Sequence, residues 1–215
     1  MTEISATETI MSRQLKLLED VGVKEVIITT GYFEEALVNY CNSLEYNLCI
    51  GFVNNPLYAD TNYIYSIYCA RELLRDEDVL LMHDDLVFEY SVLEDLINNE
   101  KSCMKVSSVA ALPEKDFKAV VTNGLVTSVG IEFFDSAMEA QAFYKLNKED
   151  WNAWLEEICN FCELNNCKCY AEVALNNVIS KCSIEALDVK ERLCTEIDNV
   201  EDLAIVKSKL FEIEN

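Results

Sequence analysis

The sequence predicts a single α/β domain, residues 1–215, with a Rossmann-like and mainly parallel sheet, helices on both faces and an antiparallel edge. Helical and strand patterns alternate through the first hundred residues, which is the order of a wound parallel sheet. An Asn123-Gly124 pair then signals a hairpin. The chain has only 5 glycines and 2 prolines, so no linker divides it.

The first half of the chain predicts helices separated by short apolar strands. Leu15 and Leu18 repeat at helical spacing, and Gly22 is a stop signal for that helix. The following elements are a strand at Glu25–Thr30, a helix at 33–44, a strand at 46–53, a helix at 62–74, a strand at Val79–Met82 and a helix at 92–97.

The second half predicts antiparallel strands and then helices. Apolar runs at 106–112, 117–122 and 125–133 indicate three strands, the last two joined by the Asn123-Gly124 turn. The remaining elements are helices at 151–162 and 171–180, strands at 184–189 and 194–197, and a closing helix at 200–211.

Composition excludes several classes of function. The 17 basic and 39 acidic residues give a net charge of −22 without a basic cluster, which argues against nucleic acid as a partner. No run approaches the roughly 18 apolar residues of a membrane helix, so no membrane association is expected. The N-terminus has no secretory pattern, and we expect the 10 cysteines to be reduced thiols in the cytoplasm.

The most informative stretch is VLLMHDDLVFEY, residues 79–90, where an apolar strand ends on acidic residues. His83, Asp84 and Asp85 directly follow Val79–Met82. Ligands of open α/β sheets bind at the carboxyl ends of strands, and carboxylates there suit a divalent cation and its phosphates. An Asp pair is also a common turn and helix N-cap device, so both interpretations stay open.

A second acidic signal lies in CTEIDNVEDLAIVK near the C-terminus. Asp198 follows a short strand, and Asn199 is a predicted N-cap with Glu201 and Asp202 in the first helical turn. Taken alone, this pattern is ordinary helix capping. Two strand-end carboxylates far apart in sequence, Asp85 and Asp198, can nevertheless converge on one Mg²⁺ ion.

Four stretches resemble the sugar-phosphate and phosphocholine-type nucleotidyltransferases, above all the small cytidylyltransferases that act on phosphocholine or aminoalkylphosphonates. They are RQLKLLEDVGVKEVIITTGY, NNPLYADTNYIYSIYCA, LLMHDDLVFE and TEIDNVEDLAIV. The resemblance implies transfer of CMP from CTP to a phosphorylated or phosphonate amine, with release of pyrophosphate. It places the catalytic Mg²⁺ on Asp85 and Asp198.

The middle of the chain is similar to the acceptor-binding half of the same family. The similar stretches are KDFKAVVTNGLVTSVGIEFF, FYKLNKEDWNAWLEEI and CYAEVALNNVI. The resemblance makes Asn62, Lys118, Lys145, Glu172 and Asn176 candidates for binding phosphate or a cationic acceptor. Each has an ordinary alternative as a capping amide, a surface lysine or a helix-face carboxylate.

The sequence departs from that family at its N-terminus. Family members begin with a strand and a glycine-rich, arginine-containing loop around the nucleotide, whereas residues 1–10 contain neither glycine nor a basic residue. Because phosphate positioning dominates such catalysis, a chain without this loop is expected to bind nucleotide weakly.

The alternative function is a non-catalytic remnant or binding subunit. An open slot in the sheet would favour pairing with a second chain, hence a homo-oligomer. Asp84 also replaces the usual glycine of the family.

Other interpretations fit less well. Cys159, Cys162, Cys167 and Cys169 have a spacing that zinc would accept, but the first two fall within an amphipathic helix pattern. A phospho-acceptor domain would not explain Asp198, and an aspartyl hydrolase would favour Asp-x-Asp. His83, the sole histidine, is expected to orient its neighbours rather than act as a base.

Overall fold

A computed structural model describes residues 1–214. Its helices are α1 Ile10–Asp20, α2 Glu34–Ser43, α3 Tyr63–Leu74, α4 Tyr90–Asn98, α5 Lys148–Glu163, α6 Ala171–Val178 and α7 Val200–Glu214. Its strands are β1 Glu25–Thr30, β2 Cys49–Asn54, β3 Val79–Met82, β4 Leu86–Phe88, β5 Cys103–Ser107, β6 Lys118–Thr122, β7 Leu125–Gly130, β8 Ala137–Leu146, β9 Glu185–Asp188 and β10 Cys194–Glu196.

The strands form a mixed set of sheets, which corrects the expected mainly parallel Rossmann-like sheet. β1 and β2 form a parallel pair, β4 and β10 an antiparallel pair, and the other six strands follow the order β3-β8-β5-β9-β7-β6. An additional β6–β8 pairing closes five of these six strands into a ring. Within the large sheet only β5 and β9 are parallel, so antiparallel pairing occurs throughout the sheet and is not confined to one edge.

Strand β8 is the reason for this difference. It pairs antiparallel with β3, β5 and β6, and residues 137–146 were not predicted as a strand. Its sequence, AMEAQAFYKL, has no β-branched residue and is rich in residues that favour helices. Burial of Ala140, Ala142 and Tyr144 against α5 and α6 therefore overrides the local preference.

The Asn123-Gly124 turn confirms the predicted hairpin. Both residues have positive φ, 52° and 80°, and they join β6 to β7 in antiparallel register. A two-residue turn with positive φ at both positions matches the twist of the flanking strands.

Two apolar clusters cover the opposite faces of the sheets. One contains Trp151, Trp154 and Tyr144, together with the α3 residues Ile64 and Ile67. The other packs α1 through Leu17 and Leu18 against strand β4 and helix α4. Val26 of β1 and Leu80 and Met82 of β3 pack on this second cluster together. The β1–β2 pair and the six-stranded sheet therefore both pack against helix α1.

Strands β1 and β3 nevertheless share no hydrogen-bonded ladder among the described residues. The N–H of His83 donates to the C=O of Ala142 in β8. Because every second residue of an antiparallel strand bonds the same neighbour, Leu81 also bonds β8, whereas the N–H and C=O groups of Leu80 and Met82 point away from it. The β1–β2 register likewise turns Ile27 and Thr29 away from β2. The sheet is divided between β1 and β3, and each presents one unpaired edge.

In residues 1–214, no helix combines the length and the apolar character that spanning a membrane requires.

Candidate functional site

A three-residue turn between β3 and β4 presents the acidic stretch. Residues 83–85 connect the two strands, and His83 N–H anchors the first of them to Ala142 C=O of β8 at 3.3 Å. The carbonyl of Asp85 accepts from Ile197 N–H at 3.1 Å. Because β10 pairs antiparallel with β4, with Glu196 opposite Leu86, the end of β10 lies beside this turn.

His83, Asp85 and Glu196 form a compact group at the end of β3. One potential ligand atom from each lies within 4.8 Å of the other two, and no other such group occurs in the described part of the chain. His83 Nδ1 and Glu196 Oε1 are 2.9 Å apart. Cys159, Cys162, Cys167 and Cys169 accordingly do not assemble a zinc site.

Two buried atoms in this group have no hydrogen-bond partner, His83 Nε2 and Asp85 Oδ1. An unpaired buried carboxylate oxygen is costly, and a bound cation would offset that cost. Two carboxylates and an imidazole can all ligate a divalent metal, with the carboxylates favouring Mg²⁺ or Mn²⁺. The residues present therefore fit a divalent cation.

The electrostatics of the group agree with this assignment. Burial raises the pKa of Asp85 to about 6, and the negative charges of Glu196 and Asp84 add to the effect. Burial alone lowers the pKa of His83, but the hydrogen bond and charge of Glu196 outweigh it and the net direction is upward. A group of acids that repel one another is a favourable place for positive charge.

Asp198 does not belong to this group, although it follows Glu196 by two residues in the chain. The structure places its side chain at the exposed start of α7, where its backbone N–H donates to Asp202 Oδ2 at 3.1 Å. Asn199 Oδ1 accepts from Asp202 N–H at 3.0 Å, which confirms the predicted capping contact. Burial raises the pKa of Asp116, and the negative charges of Asp198 and Glu196 add to that effect. The metal role of Asp198 stays a prediction.

Glu196 is the site residue that sequence reasoning missed. A signal was available, because Glu196 and Asp198 are two residues apart along an extended segment and alternate residues share one side of a strand. The sequence does not show which of the two carboxylates faces β3. That choice depends on the pairing of β10 with β4.

Glu172 is the predicted acceptor residue that lies next to the group. It is 1% exposed and accepts hydrogen bonds from the Tyr63 and Tyr144 hydroxyls, the latter at 2.9 Å. The Tyr63 ring packs edge-to-face on His83, with centroids 4.7 Å apart. Phe117 and Tyr170 complete an aromatic patch, with centroids 5.1 Å apart.

The other four acceptor candidates make structural contacts. Asn62 caps α3 by accepting from Tyr63 N–H at 2.7 Å, and Asn176 bonds both backbone groups of Val129. Buried Lys118 donates to Pro113 and Asp116 carbonyls. Lys145 donates to Asn147 Oδ1 at 2.5 Å, toward the far end of the β3–β8 ladder. The structure does not bring these four side chains together, and their ligand roles stay predictions.

A family model described as "Domain of unknown function (DUF6564)" matches residues 2–127. The chain is 33% identical over 139 residues to CMP-5'-(3-aminopropyl)phosphonate synthase of Streptomyces rubellomurinus, covering 64% of this chain and 21% of that protein. It is 25% identical over 136 residues to CTP:phosphoglutamine cytidylyltransferase of Campylobacter jejuni, covering 56% and 53%. The matches thus span about a fifth and about half of these two relatives.

Solved structures give the fold. CTP:phosphocholine cytidylyltransferase from Streptococcus pneumoniae superposes with a TM-score of 0.70 at 16% identity, covering 96% of this chain and 87% of that one. The α/β fold is therefore that of the nucleotidyltransferases, built here on mixed sheets.

Proposed function

Because the chain belongs to the DUF6564 family and has the nucleotidyltransferase fold, we propose that it is a Mg²⁺-dependent cytidylyltransferase. It would transfer CMP from CTP to a small phosphorylated or phosphonate amine, with phosphocholine as one candidate acceptor. One observation carries the proposal. The group of His83, Asp85 and Glu196 has unpaired atoms at the end of β3, next to an aromatic patch in which Tyr63 donates to buried Glu172.

The relatives support this substrate class. Their names describe CMP transfer to an aminopropylphosphonate and cytidylyl transfer to phosphoglutamine, and the structural neighbour acts on phosphocholine. The three acceptors differ, but each joins a nitrogen-containing group to a phosphate or phosphonate. An acceptor site for this class needs a place for the nitrogen group near the metal.

Asp85 and Glu196 would hold the cation, with Asp198 as a further carboxylate at the exposed rim. When bound, Mg²⁺ supplies charge neutralisation of the triphosphate and orients its α-phosphorus. His83 keeps Glu196 in place through its Nδ1 contact. An acceptor phosphate or phosphonate oxygen then forms a bond to the α-phosphorus in line with the bond to the β-phosphate. That second bond breaks, and pyrophosphate leaves.

The aromatic patch suits the nitrogen end of the acceptor. Aromatic ring faces attract cations, and buried negative charge behind them strengthens the attraction. Tyr63, Phe117 and Tyr170 provide the rings, and Glu172 provides the carboxylate through its bond to Tyr63. This geometry favours an amine or quaternary ammonium over a neutral sugar.

The divided sheet supports the alternative of a non-catalytic binding subunit. β1 and β3 each present an unpaired edge, and residues 1–214 contain no glycine-rich basic loop beside the site. Catalysis would require such phosphate-binding groups from another segment or chain. Addition of a second chain that fills the gap would then restore turnover.

Pyrophosphate release tests the proposal. The protein is incubated with CTP and Mg²⁺, and with phosphocholine or 3-aminopropylphosphonate as acceptor. We expect acceptor-dependent pyrophosphate, and we expect Asp85→Asn to reduce the rate about 100-fold because it removes a metal carboxylate. Asp84→Asn is the matched control, since Asp84 is adjacent but exposed. No pyrophosphate with either acceptor would contradict catalysis, and saturable CTP binding without turnover would favour the binding subunit.

A further inference from the structure

One buried side chain on α1 spans the turn that carries the candidate metal ligands. Gln14 is 6% exposed, and its Nε2 donates to Leu86 C=O at 2.8 Å and to His83 C=O at 3.1 Å. A primary amide has two N–H donors. Gln14 therefore uses both donors on the two carbonyls that flank Asp84 and Asp85.

These two bonds hold the turn at both of its ends. The turn between β3 and β4 has only residues 83–85, and two of them, His83 and Asp85, belong to the candidate metal group. Its other anchors are the ladder bond from His83 N–H to Ala142 and the bond from Ile197 N–H to Asp85. Gln14 adds hydrogen bonds from helix α1, so the position of the turn is also fixed relative to α1.

The packing around Gln14 leaves its side chain little freedom. Leu17 and Leu18, one turn further along α1, pack on Leu86 and Phe88 of β4. A capping box at Thr9 and Ser12 fixes the start of the same helix. The amide is thus held between a fixed helix and a fixed strand, which is how outer-sphere groups orient metal ligands.

We propose that Gln14 is a positioning residue of the metal site, acting through the backbone of the turn at residues 83–85 and of Leu86, which follows it. The inference rests on the proposed function in one respect, that the site binds a divalent cation. Gln14 touches neither the cation nor the substrate. It sets the separation of Asp85 and His83 from Glu196, which belongs to a different strand.

Two substitutions separate hydrogen bonding from side-chain size. Gln14→Met keeps the length and apolar contacts but removes both donors, leaving the His83 and Leu86 carbonyls without this partner. Gln14→Glu keeps the shape but, when ionised, offers only acceptors to two carbonyl oxygens. Loss of an outer-sphere partner typically weakens metal binding about 10–100-fold. We expect a loss of that size for Gln14→Met and a larger loss for Gln14→Glu.

The chain provides a matched control, because its only other glutamine is Gln141. Gln141 is also buried, but its Nε2 donates to Glu139 Oε1 rather than to a carbonyl of residues 83–86. The affinity for Mn²⁺, measured by electron paramagnetic resonance, and the melting temperature are compared for the two Met variants. A purely structural role would lower the melting temperature of Gln14→Met but leave its Mn²⁺ affinity as high as that of Gln141→Met. A positioning role weakens Mn²⁺ binding in Gln14→Met alone.

The outcomes are distinguishable. If the unsubstituted protein binds no Mn²⁺, the proposed function fails and the role of Gln14 fails with it. If it binds Mn²⁺ and Gln14→Met binds equally well, only the positioning role is overturned. Should Gln14→Met not fold, the shorter amide of Gln14→Asn replaces it. That side chain cannot span both carbonyls, and Mn²⁺ affinity must fall for the positioning role to stand.

Discussion

At the scale of single residues, Glu172 shows how one carboxylate links the core to the candidate site. It accepts from Tyr63 and Tyr144, and Tyr63 packs on His83. Burial raises the pKa of Glu172, although both hydroxyl contacts and the nearby His83 oppose that change. Burial of a carboxylate disfavours its ionised form, and such a cost to folding can be retained at a binding site for function.

Glu172→Gln should therefore stabilise the protein at neutral pH. A carboxyl group with a raised pKa contributes its stability below the unfolded pKa, near 4.5, and loses it as pH rises through the folded value. Glutamine does not titrate and can still bond both tyrosines. We expect a melting temperature about 2–4 °C higher at pH 7, as roughly 1 kcal/mol produces in a domain of this size, and a weaker decline on raising the pH.

The check is thermal unfolding from pH 4 to pH 8, a range that begins just below the unfolded pKa near 4.5 and extends above it. Glu156, an exposed carboxylate on α5, provides the matched control through Glu156→Gln. A Glu172→Gln variant that is less stable than the unsubstituted protein at pH 7 would show that the ionised form is net stabilising.

At the scale of elements, α1 illustrates how local chemistry defines a helix that the site depends on. Its N-cap is Thr9, whose Oγ1 accepts from Ser12 N–H at 3.1 Å while Ser12 Oγ accepts from Thr9 N–H at 2.9 Å. The helix then buries Leu15, Leu17 and Leu18. Capping satisfies two of the backbone donors that a helix start otherwise leaves unpaired.

Removing this cap should destabilise the protein measurably. Thr9→Ala removes the hydroxyl of the capping box and a contact of 2.9 Å with the Tyr40 hydroxyl. We expect the free energy of unfolding in urea to fall by about 1 kcal/mol. Thr7→Ala, two residues earlier and exposed, is the control. An unchanged midpoint for Thr9→Ala would mean that packing alone fixes the start of α1.

At the scale of the whole molecule, the β1–β2 pair and the six-stranded sheet pack against the same helix, α1, but among the residues that the structure describes no backbone hydrogen bonds join β1 to β3. Cluster residues from α1 reach both Val26 of β1 and Leu80 of β3, yet each strand keeps one unpaired edge. Unpaired strand edges are places where another segment or chain can add. The divided sheet therefore leaves a position between β1 and β3 at which a further strand could pair.

Amide hydrogen exchange should report this edge. The amides of Leu80 and Met82 point away from β8, whereas that of Leu81 donates into the ladder. We expect exchange about tenfold or more faster at Leu80 and Met82 than at Leu81, measured by two-dimensional NMR after transfer to D₂O. Equal protection of the three amides would contradict an open edge, and protection gained at higher protein concentration would show that a second copy fills it.

The sequence by itself determined the first seven predicted elements, the Asn123-Gly124 hairpin and the end of strand β3 at His83, because apolar periodicity, caps and turn residues are local signals. Strand β4 was not predicted. The predicted strand at 106–112 is observed earlier, at Cys103–Ser107. Only the tertiary structure decided that β8 is a strand and that antiparallel pairs dominate the large sheet. It also decided that Glu196 joins Asp85 and His83. The physical reason is that strand pairing and burial act between residues far apart in sequence, and they override weak local preferences.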